Sequence, residues 1–323
     1  MNTFASAVIN QESRTANGMK ALASTSNSVV DLFYNIGASR GKDILPAFTA
    51  AYVENKELAL RIALWARDAR GGAGERELFR SILKHLEVHD SDSAKLLLAK
   101  VPELGRWDDI FVFKTSDMKA LAYTMLGDAL RAGNGLAAKW TPRKGPIAAE
   151  IRTFFGMTPK QYRTSLVRLT KVVETQMCAN DWDNINFSHV PSIASARYKK
   201  AFNRHTTKFA EYVEALVNKD PSVKVNAGAI FPHDVLKGVT STMNDYTETE
   251  VNHIIAQWES LPNYVGNASI LPMVDVSGSM DCPAGGKASK STTTCLDISL
   301  SLGLYLSDKN KGAFKDLFLT FSY

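Results

Sequence analysis

From about residue 29 to residue 265 the apolar residues recur at helical spacing, and no stretch alternates as a half-buried strand does. That excludes a sheet as the frame of this region and leaves a stack of helices. In Glu57–Ala69, Leu58, Ile62 and Trp65 form one stripe, and in Glu75–Leu86 the stripe is Leu78, Phe79, Ile82, Leu83 and Leu86. Glycines in Arg70-Gly71-Gly72-Ala73-Gly74 stop the first helix and allow the second to begin. Met118–Leu130 continues the pattern, and Gly133-Asn134-Gly135 closes it. Thr158-Pro159 reads as an N-cap followed by proline at the first helical position. Thr206–Val217 carries a further stripe, and Thr247-x-x-Glu250 is a capping-box signature. Helix–turn–helix units in series predict a bundle or an α-solenoid, with no strict sequence repeat.

The pattern changes near Asn267. Ala268–Val276 is a short apolar run, a polar stretch Pro283–Thr293 follows, and a helical stripe of Cys295, Ile298, Leu302 and Tyr305 precedes a second apolar run at Leu317–Phe321. Strand, loop, helix, strand is the opening of a Rossmann-like sheet. From Ala268 to Tyr323 the chain is far shorter than the ~100–200 residues of a doubly wound domain, so the expectation is an incomplete domain within this sequence. Three segments are predicted: a loose polar stretch at 1–28, a helical module at 29–266, and a partial α/β domain at 267–323.

At the end of the first apolar run stands Asp275-Val-Ser-Gly-Ser-Met280. Alternation places the Asp275 carboxylate and the Ser277 and Ser279 hydroxyls on one side of a loop, and Gly278 allows the tight turn. Hard oxygen donors of this kind suit Mg²⁺, with waters and further ligands completing an octahedron. The string resembles the metal-ion-dependent adhesion motif of von Willebrand factor A domains. Pro272 is expected at the start of the strand, because proline is excluded from a central strand.

The formal charge of +5 is modest, but its distribution is not even. Lys139, Arg143, Lys144, Arg152, Lys160, Arg163, Arg168 and Lys171 are opposed between Ala138 and Lys171 by Glu150 alone. Arg197, Lys199, Lys200, Arg204, His205 and Lys208 follow one another with no acid between Ala194 and Ala210, interleaved with Tyr198, Phe202 and Phe209. Basic groups pair with phosphates and aromatic rings stack on unpaired bases. The same runs also suit solvated helix faces with their aromatics turned into a core.

Gly105-Arg106-Trp107-Asp108-Asp109 is read first as a helix start, with aspartate capping and tryptophan in the core. Asp68–Arg76 lacks both the Gly-Lys-Ser/Thr ending and the preceding strand of a phosphate loop. No Ser-His-Asp or Cys-His arrangement and no paired carboxylates stand out, so a non-enzymatic protein is expected. Cys178, Cys282 and Cys295 give neither a disulfide framework nor a zinc pattern, which fits a reducing cytoplasm. The N-terminus lacks the form of a secretory signal, and no run approaches the ~18–20 apolar residues of a membrane span, so no membrane partner is expected.

The strings WARDARGGAGERELFR, VPELGRWDDIF, KWTPRKGP, VVETQMCANDWDNINFSHVPSIASARYKKAFNRH, VNAGAIFPHDV and MVDVSGSM together resemble the DUF2828 proteins over about residues 30–323. That family is similar to the TROVE/Ro RNA-binding proteins, which join an α-helical repeat module to a von Willebrand factor A domain. The resemblance implies a mainly α fold: a HEAT-like α-solenoid or ring followed by the first β-α-β part of a truncated Rossmann-like A-domain. It implies binding of small structured or single-stranded RNA, in some relatives beside an exoribonuclease, and an Mg²⁺ site at Asp275, Ser277 and Ser279 able to meet a protein partner. The A-domain's further ligands, a threonine and often an aspartate from later loops, have no counterpart in this sequence. No residue-level RNA motif carries over, so the RNA-contacting candidates rest on charge: Lys139, Arg143, Lys144, Arg197, Lys199, Lys200, Arg204, His205 and Lys208.

Overall fold

The structure, a computed structural model, describes residues 12–14, 18–38, 42–170, 172–228, 230–237, 239, 246–284 and 292–322. The protein is mainly helical, and its described strands form two small two-stranded sheets. It divides into two compact units, Met1–Val172 and Val173–Tyr323.

The first unit begins with an antiparallel pair, β1 (Glu12–Arg14) and β2 (Lys20–Leu22). Residues 1–11 and 15–17 of the segment expected to be loose lie outside the described residues. The helices follow as α1 (Ser28–Asn35), α2 (Leu45–Glu54), α3 (Lys56–Arg67), α4 (Arg76–His89), α5 (Ser91–Leu104), α6 (Ser116–Arg131), α7 (Gly135–Trp140), α8 (Pro146–Phe154) and α9 (Pro159–Leu169). From α1 to α5 each packs chiefly on its neighbours in sequence. Their starts are written in local polar residues: Asn27, Asn55, Asp90 and Asn134 each accept a backbone N–H in the first turn of the helix they precede. Thr158 and Gln161 form the capping box of α9 behind Pro159. The core gathers Phe48, Phe79, Ile82, Leu83, Leu86, Leu97, Leu98, Ile110 and Leu126.

The two most motif-like strings of this unit meet in one ion network. Trp107–Val112 is a 3-10 turn whose Asp109 accepts the Arg106 backbone N–H at 3.0 Å and whose Trp107 is buried, as a capped helix start requires. The fully buried Asp109 carboxylate also accepts Arg67 Nε at 2.7 Å and Arg80 Nε at 2.8 Å. Asp108 takes Arg80 Nη2 at 2.9 Å and the guanidinium of Arg106, which lies over the Trp140 ring. In the preceding loop a Cβ on Gly72 would sit 1.8 Å from the Trp65 carbonyl oxygen, so the chain can pass there only as glycine. Glu87 is buried and accepts the backbone N–H groups of Lys114 and Thr115, tying α4 to the start of α6.

The second unit contains α10 (Val173–Cys178), α11 (Ser192–His205), α12 (Lys208–Val217), α13 (Pro232–Leu236), α14 (Glu248–Glu259), β3 (Met273–Asp275), α15 (Cys295–Lys309) and β4 (Leu319–Phe321). The Thr247–Glu250 capping box starts α14. β3 and β4 pair in parallel, Met273 opposite Leu319, with α15 as the crossover between them. Pro272 stands just before β3, its carbonyl accepting Leu319 N–H at 2.9 Å. One apolar cluster joins Ile230, Val235, Ile254, Leu261 and Val265 to Tyr305 of α15. Tyr305 Oη also donates to the Pro262 carbonyl, and Trp258 Nε1 donates to Asp308 at 3.0 Å. The end of the helical stretch and the β3–α15–β4 unit therefore share one core.

Candidate functional site

The motif after β3 is positioned by a close helix–strand contact. Val274 is buried beneath α15, where a Cβ on Gly303 would come within 2.3 Å of its Cγ2. This contact places Asp275 at the carboxyl end of β3, and Ser299 of α15 donates to the Asp275 carbonyl at 3.0 Å. Ser277 donates to Asp275 Oδ1 through its backbone N–H at 2.9 Å and its hydroxyl at 2.6 Å. The Ser277 and Ser279 hydroxyl oxygens lie 3.0 Å apart. These bonds from Ser277 hold the Asp275 carboxyl below the usual carboxylate range, so it is charged at neutral pH.

The geometry brings all three predicted metal ligands together. Adjacent ligands of an octahedral Mg²⁺ at 2.0–2.1 Å stand about 2.9 Å apart. The oxygen separations of 2.6 and 3.0 Å bracket that value, and the donors are all hard oxygens. The residues present therefore fit part of an Mg²⁺ shell, one carboxylate and two hydroxyls. No cluster of three or more His, Cys, Asp or Glu side chains able to hold a metal occurs among the described residues.

The basic candidates divide between the two units. In the first, Arg143 and Lys144 are exposed, with Arg143 donating to Thr170 Oγ1 at 2.9 Å, while Lys139 is half-buried beside the Trp140 ring. Lys171 lies outside the described residues. In the second unit Arg197, Lys200 and Arg204 are exposed at spacings of three and four on α11, which places them on one face of a helix that holds no acid. No ion pair of Arg197 or Arg204 occurs among the described residues. His205 is stacked on Trp182, ring centroids 4.4 Å apart and planes within 7°. Lys208 is exposed and donates to the Asp183 carbonyl at 2.8 Å.

Lys199 stands apart from that face. It is 7% exposed, and its Nζ donates to the Ala196 carbonyl at 3.3 Å and lies near the Tyr246 ring. Burial pushes its ammonium pKa down, against the pull of Glu250. A sequence run cannot distinguish this residue from its neighbours, because only the phase of the helix against α14 decides which lysine turns inward. Tyr198 and Phe202 belong to the aromatic cluster around Phe209, so they support the core and not a ligand.

Beneath α11 the structure holds a group with no signature in the sequence. His253 is buried, with Nε2 2.8 Å from Ser195 Oγ and its ring 5.2 Å from that of Phe209. Burial, with the nearby Lys199 charge, pulls its pKa down to about 4, so the ring is neutral. Its Nδ1 and the Oε1 of Gln257, one turn further along α14, are buried without partners among the described residues.

Residues 146–270 match the DUF2828 family, described as a domain of unknown function. The match covers less than half of the chain. The DUF2828 segment runs from α8 to Ile270, so it includes the α11 basic face and His253 and stops short of Asp275. An uncharacterized protein of Acanthamoeba polyphaga mimivirus is 27% identical over an alignment covering 95% of this chain and 61% of that protein. The chain thus spans about three fifths of the length of the relative it matches. No solved structure matches.

Proposed function

We propose that this DUF2828 protein is a non-enzymatic RNA-binding protein, as its resemblance to the TROVE/Ro proteins implies, with a HEAT-like helical module as the binding scaffold. The observation that carries the reading is the exposed row Arg197, Lys200 and Arg204 on an acid-free face of α11. Such a row tracks a phosphate backbone, and His205 on Trp182 adds an aromatic surface at its end. Arg143 and Lys144 are the corresponding candidates in the first unit. The test is binding of a small structured RNA and a single-stranded oligonucleotide by the full chain at low and physiological salt. The triple variant Arg197→Glu, Lys200→Glu, Arg204→Glu is expected to lose binding while keeping its helical circular dichroism. A wild-type chain that ignores both RNAs at low salt refutes the reading.

A second reading has its own observation. The Asp275, Ser277 and Ser279 oxygens are gathered at a strand's carboxyl end in the manner of an adhesion-type site of a von Willebrand factor A-like domain. When bound there, Mg²⁺ supplies Lewis acidity toward an oxygen donor such as a partner's carboxylate. Asp275 contributes the charge, Ser277 and Ser279 the neutral oxygens, and Ser299 holds the strand end in place. Isothermal titration with Mg²⁺ tests it: heat of binding in the wild type that is lost in Asp275→Ala supports the site, and unchanged heat in that variant refutes it.

A further inference from the structure

The turn after the oxygen cluster and the first residue of α15 are joined by backbone contacts. Cys282 ends the 3-10 turn Gly278–Asp281, and Cys295 opens α15. The Cys295 N–H donates to the Cys282 carbonyl at 3.0 Å, Ala284 N–H donates to Thr293 O at 2.8 Å, and Pro283 bridges Thr294 in antiparallel fashion. This short ladder fixes the two cysteine backbones side by side. Their sulfurs lie 3.5 Å apart, both residues are free thiols, and Cys282 is exposed while Cys295 is half-buried. The third cysteine, Cys178, is exposed on α10 and has no thiol partner among the described residues.

We propose that Cys282 and Cys295 are a redox-active pair that a low-molecular-weight disulfide of the glutathione type converts to an intramolecular disulfide. The Cys282 thiolate attacks one sulfur of the oxidant, forming a mixed disulfide and releasing one thiolate of the small molecule. Cys282 is exposed and Cys295 half-buried, so Cys282 is the sulfur that the small disulfide reaches first. Cys295 then gives its proton to solvent and attacks the Cys282 sulfur, expelling the second small thiolate. Two protein thiols are oxidised, one small disulfide is reduced to two thiols, and no other electron carrier is needed. The product closes the chain between residues 282 and 295 and pins the turn after Ser279 to the root of α15. The same exchange run backwards by an excess of the small thiol reopens the disulfide. The proposal depends on neither the RNA reading nor the metal reading.

The test uses the full chain, equilibrated with oxidised and reduced glutathione at graded ratios, quenched with an alkylating agent and mapped by mass spectrometry. The expected result is loss of two alkylatable thiols, a cross-linked pair of peptides carrying Cys282 and Cys295, an alkylated Cys178, and full reversal by dithiothreitol. Cys282→Ser should leave Cys295 without cross-link, and Cys295→Ser should trap Cys282 as a stable glutathione adduct. Three alkylatable thiols at every ratio overturn the proposal. So do separate glutathione adducts on both residues of the wild type, or a cross-link that forms only between chains.

Discussion

Arg67 Nε lies 2.7 Å from Asp109 Oδ2, and both side chains are buried. The two residues are 42 positions apart in sequence, and Arg80 closes on the other oxygen of the same carboxylate. Truncating one partner leaves the other charge buried. Asp109→Asn takes the counter-charge from the buried Arg67 guanidinium and is expected to destabilise the chain by about 3–5 kcal/mol. Arg67→Leu with Asp109→Asn should cost less than the sum of the single changes. Urea unfolding of the four proteins of this cycle checks both statements, and strict additivity contradicts the coupling.

The contact of Gly303 with Val274 gives a sharper steric test. A methyl group at position 303 meets Val274 Cγ2 at 2.3 Å, so Gly303→Ala forces β3 off α15. Overpacking of this kind costs roughly 1–3 kcal/mol. Val274→Ala in the same chain removes the obstructing methyls, and the double variant is expected to be more stable than Gly303→Ala alone. Thermal unfolding of the three variants decides it, with a double variant no better than Gly303→Ala as the contrary result.

His253 makes the second unit sensitive to mild acid. Its folded pKa, about 4, lies below the ordinary value of 6.5, so the unfolded chain takes up the proton first. The stabilisation held by the neutral ring is fully present above pH 6.5 and is lost as pH falls from there toward 4. The whole loss is on the order of 3 kcal/mol at 1.36 kcal/mol per unit. Denaturant midpoints between pH 7.5 and 4.5 should drop in the wild type and stay nearly flat in His253→Gln. Equal slopes in the two proteins would falsify this assignment.

RNA affinity, on the reading proposed above, carries its own signature in salt. Single-stranded RNA loses about 0.7 in log–log slope for each phosphate contact removed. Replacing Arg197, Lys200 and Arg204 by alanine should therefore flatten the slope by roughly 2. Lys199→Ala should leave it unchanged, because that side chain is buried. Fluorescence anisotropy across a salt series measures both, and a Lys199→Ala variant as flat as the triple variant would place the contact elsewhere.

How far the sequence reached depends on how local each feature is. Helix starts were legible because caps act within one turn: Thr158 with Pro159, and Thr247 with Glu250, stand where their spacing predicts. The β3–α15–β4 order was legible from the change of apolar period after Asn267. The Asp275, Ser277 and Ser279 cluster was legible because two-residue spacing alone gathers its oxygens. Long-range partners were not. Nothing in Gly105–Asp109 names Arg67 or Arg80, and nothing in the spacing of Cys282 and Cys295 announces that their sulfurs meet. Burial within a charged run was equally hidden, since Lys199 and Lys200 are chemically identical and differ only in helical phase.

The neighbour-on-neighbour packing from α1 to α5 bears on how the protein is made. Contacts that close short loops cost little chain entropy, so these helices can dock one after another as they leave the ribosome. The Arg67 and Arg80 side chains are the exception. They must wait for a carboxylate that emerges with the turn at Trp107–Val112, and until then the end of α3 holds an arginine with no counter-charge at its eventual buried position. Asp109 follows all of α1 to α5 in sequence, so the carboxylate that joins Arg67 to Arg80 is supplied from outside those five helices.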